Sequence, residues 1–410
     1  MRIAVTGATG MVGGQVSRAA LAAGHEVRAV TRPDPQRRGA TLLVGGQPVP
    51  AVTASLTDSE ALTRALRGCE ALVHCAAVYA FGASRAGEVE QVNAEGTRAV
   101  LEAAVAAGVS RVVVTTSSVT CGSSLLPRTR SERDHLGTEP APPYYASKVA
   151  QEQVALETGQ RLGIPVVLAL PTVVLGGPFT RLAPSNAIVL RYLLDPTRST
   201  FAGGCNVVDA RDVGVGHVAL LEHGVAGERY LLGGEDVSWR MLHTLVSDLA
   251  GLPGPFAEMP AGSAWALSAA AEWVAGLQGA TPLTTRDEAS TVGRYYWYTS
   301  SKAHDLGYAA RPARATVAAS LAWLAVSLDL PRWAREGLRL HPEVRAAREL
   351  VPAPLGAPTG TAGAGTAGAG AAGAGATGAG ATGAGAAGAG AEGLSRRPRR
   401  SPPAWPRRRR

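Results

Sequence analysis

The chain has 410 residues and a formal net charge of +8, and the excess of positive charge belongs to one end of it. Residues 357–410 hold eight arginines and one acid, which leaves 32 basic against 31 acidic residues in the remainder. The remainder is therefore close to neutral, which argues against a specific nucleic-acid partner for it. A hydrophobic content of 46% is compatible with a large globular core.

The cysteines and the start of the chain indicate the compartment. Cys69, Cys75, Cys121 and Cys205 form no CxxC pair and no cluster with histidine, so no metal site is predicted and buried thiols in a reducing compartment are expected. A predicted strand directly follows Met1, which leaves no room for a signal peptide. No uninterrupted apolar run reaches the roughly 18 residues that a membrane span needs. We therefore expect a cytoplasmic protein without a membrane span.

The first 170 residues alternate between short β-rich runs and helical segments. The predicted strands cover residues 2–7, 26–31, 49–54, 71–77, 111–118 and 165–170. The predicted helices cover residues 10–23, a segment that opens near Asp58, 86–107 and 144–162. This alternation, with strands that are nearly continuous in apolar residues, is typical of a parallel sheet covered by helices on both faces. The sequence therefore predicts an α/β fold, a Rossmann-type doubly wound parallel sheet, over residues 1–175.

From about residue 175 prolines and glycines become frequent and the pattern loosens. Residues 206–224 are predicted to form a strand followed by a helix, with Asp212 as the N-cap of that helix. The run AWALSAAAEWVAGL, 264–277, contains one charged residue and is predicted to be a buried or interfacial helix. The predicted units of this part are a smaller C-terminal α+β substrate-binding lobe at 176–330, interleaved with the first domain, and a terminal helical segment at 331–356.

The end of the chain differs in composition from the rest. Residues 361–390 repeat five-residue units such as AGAGT and TGAGA, whose small side chains cannot offset the entropy of an ordered chain. The last residues read RRPRRSPPAWPRRRR, a run that could touch RNA or acidic lipid. A solvated appendage without a specific partner is the simpler interpretation. We therefore expect residues 357–410 to be a disordered tail.

A glycine-rich turn follows the first predicted strand. In TGATGMVGGQV, Gly7, Gly10 and Gly13 have the spacing G-x-x-G-x-x-G. Gly7 suits a sharp turn, Gly10 lets a pyrophosphate approach the backbone, and Gly13 allows the following helix to pack closely on the strand. The helix N-terminus would then offer N–H groups and a partial positive charge to the phosphates. Between a strand and a helix, this spacing predicts a dinucleotide site.

The end of the second predicted strand indicates which dinucleotide binds. An acidic residue there would hold the ribose hydroxyls of NAD, but this chain has Thr31 and Arg32. An arginine can instead pair with a 2′-phosphate, with Arg37 and Arg38 as further candidates. The sequence therefore favours NADP over NAD, the alternative being an ordinary surface arginine.

Two residues of PPYYASKVAQEQ (142–153) suggest acid–base chemistry. Of forty basic residues only Lys148 and Lys302 are lysines, and Lys148 follows Tyr144 by four positions, which places both side chains on one face of a helix. A phenol has a pKa of about 10, and a nearby ammonium lowers it. Tyr144 could then exchange a proton with an alcohol or carbonyl while hydride moves to or from a nicotinamide. A solvated or cation–π pair on the helix surface is the structural alternative.

The fifth predicted strand ends in TTSS. Hydroxyls at the carboxyl end of a strand face the crevice in which α/β sheets bind ligands. Ser117 or Ser118 could therefore hydrogen-bond a substrate oxygen and stabilise the charge that develops on it. Capping of the strand end is the structural alternative for either serine.

Together these segments resemble the extended short-chain dehydrogenase/reductase superfamily, also called the NAD-dependent epimerase/dehydratase family. The resemblance covers roughly residues 1–330 and depends on TGATGMVG, ALVHCAA, VNAEGTRAVLEAAV, RVVVTTSSVTCG, YYASK and LPTVVLGGPF. Within the superfamily the chain is most similar to the dihydroflavonol reductase-like branch, which also holds 3β-hydroxysteroid dehydrogenase relatives and hopanoid-associated sugar epimerases. The segments VRAVTRP and PTVVLGGPF, followed by APS, carry this narrower match.

The resemblance implies roles for individual residues. The catalytic set would be Ser117, preferred over Ser118, with Tyr144 and Lys148, and Asn93 would support the active-site backbone or a water relay. The residues implied to bind the cofactor, besides Tyr144 and Lys148, are Gly7, Thr9, Gly10, Met11, Val12, Gly13, Arg32, Leu56, Ala76, Ala77, Pro171 and Val174.

The chain also departs from the family pattern. Ser55 stands where an aspartate often precedes the residue that matches Leu56, which weakens one adenine contact. Leu170 replaces an arginine that is common before the proline matching Pro171, and PTVVLGG has one glycine more than is usual in the reductase branch. The last two differences lie on the substrate side.

Three functions are consistent with these residues. The first is an NAD(P)-dependent oxidoreductase that interconverts a carbonyl and a secondary alcohol of a hydrophobic molecule, of the dihydroflavonol or 3β-hydroxysteroid type. The second is a nucleotide-sugar epimerase or dehydratase with retained NAD(P), whose diphosphate would need Arg181, Arg191 or Arg294. The least favoured is a non-enzymatic NADP-sensing protein. The expected partner is a small-molecule substrate, and a homodimer through the helices at 86–107 and 144–162 is possible.

Overall fold

The computed structural model describes residues 1–33, 40–77, 89, 91–138, 141–179, 182–278 and 284–349. Its strands, in chain order, are β1 (Arg2–Thr6), β2 (Glu26–Thr31), β3 (Thr41–Val44), β4 (Gln47–Thr53), β5 (Ala71–His74), β6 (Arg111–Thr115), β7 (Val166–Pro171), β8 (Val173–Leu175), β9 (Ser199–Phe201), β10 (Gly204–Asp209), β11 (Arg229–Leu232), β12 (Glu235–Ser238), β13 (Ala257–Met259) and β14 (Tyr295–Tyr296).

Its α-helices are α1 (Met11–Ala22), α2 (Ser59–Leu66), α3 (Gly96–Ala106), α4 (Pro143–Leu162), α5 (Asn186–Leu194), α6 (Ala210–His223), α7 (Trp239–Ala250), α8 (Ala261–Gln278), α9 (Arg286–Ala289), α10 (Ser301–His304), α11 (Ala313–Leu324), α12 (Arg332–Glu336) and α13 (Pro342–Glu349). A π-helical turn, Gln91–Glu95, leads into α3, and a 3₁₀ turn, Ser118–Cys121, follows β6.

Eight of the described strands form one sheet in the order β11-β7-β6-β5-β1-β2-β4-β3. Their pairings are parallel except that of β3, which runs antiparallel to β4. From β1 the chain builds one side of the sheet through β2 and β4 and then returns to the other side at β5. The carboxyl ends of β1 and β5 therefore border the crevice in which such sheets bind ligands. The expected Rossmann-type parallel sheet is confirmed.

A smaller sheet is built around β10. It pairs antiparallel with β12 and parallel with β8 and β14, while β13 and β9 form a separate parallel pair. β11 lies between β10 and β12 in the sequence, yet it joins the large sheet beside β7. The chain thus passes between the sheets more than once, and the domain limits at residues 175 and 330 stay predictions.

Helices cover the large sheet on both faces, as the apolar strands require. In β1, Val5 belongs to one buried cluster with Val16 of α1, whereas its neighbour Ala4 belongs to another with Leu62 of α2 and Leu101 of α3. Successive side chains of a strand point to opposite faces, so both faces of β1 are buried. This burial keeps the carboxyl ends of the central strands in fixed positions.

One predicted element differs in the structure, and one observed element was not predicted. The helix expected at 86–107 is, in its described part, the π turn followed by α3, and residues 86–88 and 90 lie outside the described part. A hairpin was not predicted: β3 and β4 are joined by Gly45 and Gly46, both with positive φ (59° and 84°). Two such glycines between apolar runs are a hairpin signal.

The predicted N-cap of α6 is wrong. The side chain of Asp209, at the end of β10, accepts the backbone N–H of Arg211 at 2.8 Å and caps the helix. Asp212 lies inside the first turn and instead pairs with the guanidinium of Arg311. The strand runs directly into the helix, so the capping residue comes three positions earlier than expected.

The apolar run 264–277 lies in α8 and is largely exposed, so of the two predicted alternatives the buried helix is wrong and the interfacial helix stays a prediction. Trp265, Trp273 and Leu277 are 51%, 67% and 69% exposed. The buried residues of this helix are the small ones, Ala264, Ser268 and Ala275. Within the described part of the chain, no helix is long and apolar enough to cross a membrane. The tail predicted to be disordered, 357–410, lies outside the described residues.

Candidate active site

The glycine turn forms a cradle at the end of β1. Gly7 has a φ of 66°, and its carbonyl accepts the N–H of Gly10 at 2.8 Å. A Cβ on Gly7 would lie 2.9 Å from the backbone nitrogen of Ala76, and one on Gly13 would collide with the carbonyl of Gly7. Side chains are therefore excluded at two of the three glycines. α1 begins at Met11 without a side-chain cap, so its first N–H groups are suited to an anionic ligand.

A cavity of about 850 Å³ opens above this cradle. The predicted site residues that line it are Gly7, Thr9, Gly10, Met11, Val12, Gly13, Arg32, Ala77, Ser117, Tyr144, Lys148, Pro171 and Val174. Leu56 and Ala76 are not part of the lining. Leu56 packs under Gly96 at the start of α3, and the N–H of Ala76 donates to Oγ1 of Thr6 at 3.2 Å. Arg37, Arg38 and Arg181 lie outside the described residues.

Tyr144 and Lys148 lie side by side in the lining of the cavity. α4 begins at Pro143, a residue suited to the first helical position, so Tyr144 lies in the first turn and Lys148 one turn later. Nζ of Lys148 lies 5.8 Å from the centroid of the Tyr144 ring. The two side chains are 4% and 2% exposed, and both line the cavity. The structure therefore brings the ammonium and the phenol together.

Burial lowers the pKa of Lys148 to about 8, against the raising effect of the Glu152 carboxylate. Glu152 accepts hydrogen bonds from Thr116 at 2.9 Å and from Thr120 at 2.7 Å, and it pairs with Arg229 at 3.1 Å. Its own pKa is raised by burial, with Arg229 acting in the opposite direction. Lys148 is thus a buried ammonium whose pKa lies below that of an exposed lysine.

The two candidate serines are in different situations. Ser117 caps the 3₁₀ turn, and its Oγ accepts the N–H of Val119 at 3.4 Å. The hydroxyl of Ser118 is hydrogen-bonded to the phenol of Tyr298, which itself donates to the carbonyl of Gly122 at 2.8 Å. Both serines line the cavity, and the hydroxyl of Ser118 already has a partner. This difference favours Ser117 for contact with a ligand.

A buried polar network lies behind Lys148 and was not predicted. Nζ of Lys148 donates to Oε1 of Gln151 at 2.8 Å, and Nε2 of Gln151 donates to Oγ1 of Thr97 at 3.0 Å. Oγ1 of Thr97 lies 3.1 Å from Nε2 of His74, whose Nδ1 lies 2.8 Å from Oγ1 of Thr6. Gln151 follows Lys148 by three residues, but the other partners are distant in the sequence and share no motif.

The far end of the cavity is mainly apolar and aromatic. Side chains from segments between β8 and β14 form its walls, among them Phe179, Ile188, Tyr192, Phe201, Trp239, His243, Met259, Leu267 and Val292. Tyr192 stacks on His243 with ring centroids 4.2 Å apart. Two charged residues of this wall, Arg191 and Glu288, are joined by two contacts of 3.1 Å, and Asp195 is a further charged residue of the lining. Among the described residues no cluster of three or more His, Cys, Asp or Glu could hold a metal ion.

The chain matches the model of the NAD dependent epimerase/dehydratase family over residues 3–233. A protein of Synechocystis sp., provisionally named as a dihydroflavonol 4-reductase, is 29% identical over 325 residues, which is 78% of this chain and 93% of that protein. Cinnamoyl-CoA reductase 1 of Arabidopsis thaliana is 30% identical over 321 residues, 74% of this chain and 83% of the reductase.

A solved structure, that of gox2253, superposes with a TM-score of 0.69 at 29% identity, covering 80% of this chain and 99% of gox2253. Three features of the site fit a nicotinamide dinucleotide. The glycine cradle is free of side chains at two positions, α1 begins beside it, and the cavity extends to Tyr144 and Lys148. The chain is an enzyme that belongs to the NAD-dependent epimerase/dehydratase family.

Proposed function

We propose that this enzyme is an NADP-dependent carbonyl reductase, or secondary-alcohol dehydrogenase, for a hydrophobic small molecule. One observation carries the proposal: the Tyr144–Lys148 pair lies in one cavity between the glycine cradle and an apolar end. A phenol and an ammonium at that border suit proton exchange with a carbonyl whose apolar substituents fill the far end.

Ser117, Tyr144 and Lys148 form the proposed catalytic set. In reduction, the phenol of Tyr144 donates its proton to the carbonyl oxygen, and the hydroxyl of Ser117 donates a hydrogen bond to the same oxygen as charge develops on it. The ammonium of Lys148 stabilises the phenolate that remains. The bound nicotinamide supplies the hydride. Burial of both side chains strengthens these interactions because water does not screen them.

The preference for NADP is supported by Arg32. It lines the cavity at the end of β2, where Thr31, Arg32 and Pro33 offer no carboxylate to a ribose. A guanidinium there would pair with a 2′-phosphate. The proposed cofactor site consists of the cradle Gly7–Gly13, Arg32, Ala77, Tyr144, Lys148, Pro171 and Val174, with Leu56 and Ala76 acting behind the lining.

The pairing of Arg191 favours a substrate without a diphosphate. Arg191 is held by both carboxylate oxygens of Glu288, and Nε of Arg294 donates to Oγ of Ser123 at 2.6 Å. An arginine that binds a diphosphate in a nucleotide-sugar epimerase must present its charge to the ligand, but the charge of Arg191 is already offset. The epimerase or dehydratase function is therefore the second candidate. It is supported by the fold that this chain shares with solved sugar epimerases.

The test is a comparison of two substrate classes with the purified protein. Apolar aldehydes, cyclic ketones and polycyclic ketones are incubated with NADPH or NADH, and UDP- and dTDP-hexoses are incubated with catalytic amounts of either cofactor. We expect stoichiometric consumption of NADPH with an apolar ketone and its loss in Tyr144→Phe. Conversion of a nucleotide sugar without net consumption of cofactor would establish the second candidate instead.

We further propose that the enzyme is a cytoplasmic homodimer. α3 and α4 lie side by side, joined on their exposed surface by Arg161 and Glu102 at 2.9 Å, and this pair of helices is the proposed surface of a homodimer. Light scattering of the purified protein tests it, since a mass near 41.9 kDa would mean a monomer. A cytoplasmic location is supported by the four cysteines, all of which are described and free.

A further inference from the structure

The hydrogen atoms of the buried polar network have one consistent arrangement. The hydroxyl of Thr97 donates to the carbonyl of Asn93 at 2.7 Å, because a carbonyl can only accept. The oxygen of Thr97 must then accept from its other two neighbours. His74 therefore carries its proton on Nε2, and Gln151 turns its NH₂ toward Thr97. The amide oxygen of Gln151 is left facing the ammonium of Lys148.

The other end of the network reaches the floor of the glycine cradle. Since Nδ1 of His74 lacks a proton, it accepts from the hydroxyl of Thr6, whose oxygen accepts the backbone N–H of Ala76. The nitrogen of Ala76 is the atom that a side chain on Gly7 would meet. Each donor of the buried polar network has an acceptor, and the network connects Lys148 to the glycine cradle.

We propose that Gln151 is a positioning residue for Lys148, held in place by Thr97 and His74. The proposal rests on the catalytic set proposed above. Gln151 and Thr97 are fully buried, so water cannot replace Lys148 as the hydrogen-bond partner of the Gln151 amide. A neutral amide oxygen fixes one N–H of the ammonium from the protein interior and leaves the others for the cavity that Lys148 lines. Unlike a carboxylate, it orients the charge without neutralising it.

The titratable groups around Lys148 determine how a substitution of Gln151 changes the pKa of Lys148. Burial lowers the pKa of Lys148, and the carboxylate of Glu152, one turn further along α4, acts in the opposite direction. His74 is neutral, since burial and Lys148 lower its pKa to about 3. Among the described residues, the Tyr144 ring also lies close, with its centroid 5.8 Å from Nζ of Lys148. Loss of the Gln151 acceptor destabilises the ammonium and lowers its pKa further, whereas a carboxylate at 151 raises it.

The near absence of lysine makes a direct test possible. Full-length protein labelled with ¹³Cε-lysine gives two signals, from Lys148 and Lys302, and Lys302→Arg assigns them. The Lys148 signal is followed against pH, without cofactor or substrate, in the wild type, Gln151→Met and Gln151→Glu. Gln153→Met, an exposed glutamine on the same helix, is the matched control. Melting temperatures show that each variant is folded.

We expect a midpoint near 8 in the wild type, as burial of Lys148 dictates. It should fall by about one unit in Gln151→Met, the effect of losing one hydrogen bond to a charged group, rise in Gln151→Glu, and stay unchanged in Gln153→Met. An unmoved midpoint in folded Gln151→Met would overturn the proposal. Because no turnover is measured, this result is independent of the proposed reaction.

Kinetics supply the second readout. Thr97→Val removes the anchor of Gln151 at constant shape, and Thr158→Val, equally buried on α4, is its control. We expect kcat of Gln151→Met and Thr97→Val to fall about tenfold at little change in KM, with the alkaline limb of the pH profile moved to lower pH. The limb moves this way because the ammonium is lost as pH rises through its pKa. A rise in KM, with kcat and the position of the alkaline limb unchanged, would also contradict a positioning role.

Discussion

The two ends of the cavity are built in opposite ways. At the proposed nucleotide end, Gly7 and the five residues Thr9–Gly13 line the cavity, and Gly7 and Gly13 are needed there because their neighbours leave no room for a side chain. At the proposed substrate end, side chains from segments between Phe179 and Val292 form the wall. The first end depends on missing side chains and the second on large ones, so changes at the two ends should have separable effects.

The largest effect is expected where the two ends meet. Tyr144→Phe removes the proposed proton donor, so kcat should fall by about a hundredfold to ten-thousandfold while NADPH and substrate still bind. Tyr145→Phe, the next residue and also part of the cavity wall, is the control and should retain most of the activity. Steady-state rates and a fluorescence titration with NADPH measure both. Equal losses in the two variants would remove Tyr144 from the catalytic set.

At the nucleotide end, Gly13→Ala places a Cβ against the carbonyl of Gly7. Overpacking of backbone against backbone costs about 1–3 kcal/mol, so NADPH affinity should drop by about tenfold to a hundredfold with a lower Tm. Gly14→Ala, whose Cβ would lie 3.4 Å from the carbonyl of Ala8, should bind like the wild type. If Gly13→Ala binds NADPH normally, the cradle is not the phosphate site.

Arg32→Asp should change the choice of cofactor. Removal of the guanidinium and introduction of a carboxylate should weaken NADPH by about tenfold to a hundredfold and leave NADH equal or improved. Arg133→Asp, an exposed charge reversal outside the cavity lining, controls for net charge. Isothermal titration with both cofactors gives the ratio. A wild-type protein that prefers NADH would contradict the assignment to NADP.

The smallest effect is expected at the substrate end. Trp239→Ala removes part of the apolar wall, so KM for an apolar ketone should rise about tenfold while NADPH affinity stays constant. Trp333→Ala, 66% exposed and outside the cavity lining, should change neither. A loss of NADPH affinity in Trp239→Ala would show that the two ends are not separable.

The same contrast explains what could be predicted from the sequence. The glycine spacing and the Tyr144–Lys148 interval are local patterns whose geometry follows from a turn and from one helical repeat, and both residues of the pair line the cavity. The substrate wall has no such pattern, because its members come from distant segments. Gln151 was missed for the same reason, since its partner Thr97 lies 54 positions away.

Other errors have a local cause. Asp209 rather than Asp212 caps α6 because β10 continues to the last residue before the helix, and strand ends are poorly marked in apolar sequence. The apolar composition of α8 predicted a buried or interfacial helix, but composition does not say which side a neighbour covers. Its small residues face the protein and its tryptophans face outward.

The position of β11 has a consequence for how the enzyme is made. Residues 229–232 pair with Leu168–Pro171, so the edge of the dinucleotide-binding sheet is completed by a segment synthesised well after β7. While the chain leaves the ribosome, the backbone groups of β7 lack this partner until the whole of β8–β10 and α6 has emerged. A fragment that ends at residue 175 would keep that edge open to other chains, and it should aggregate where the full-length enzyme does not.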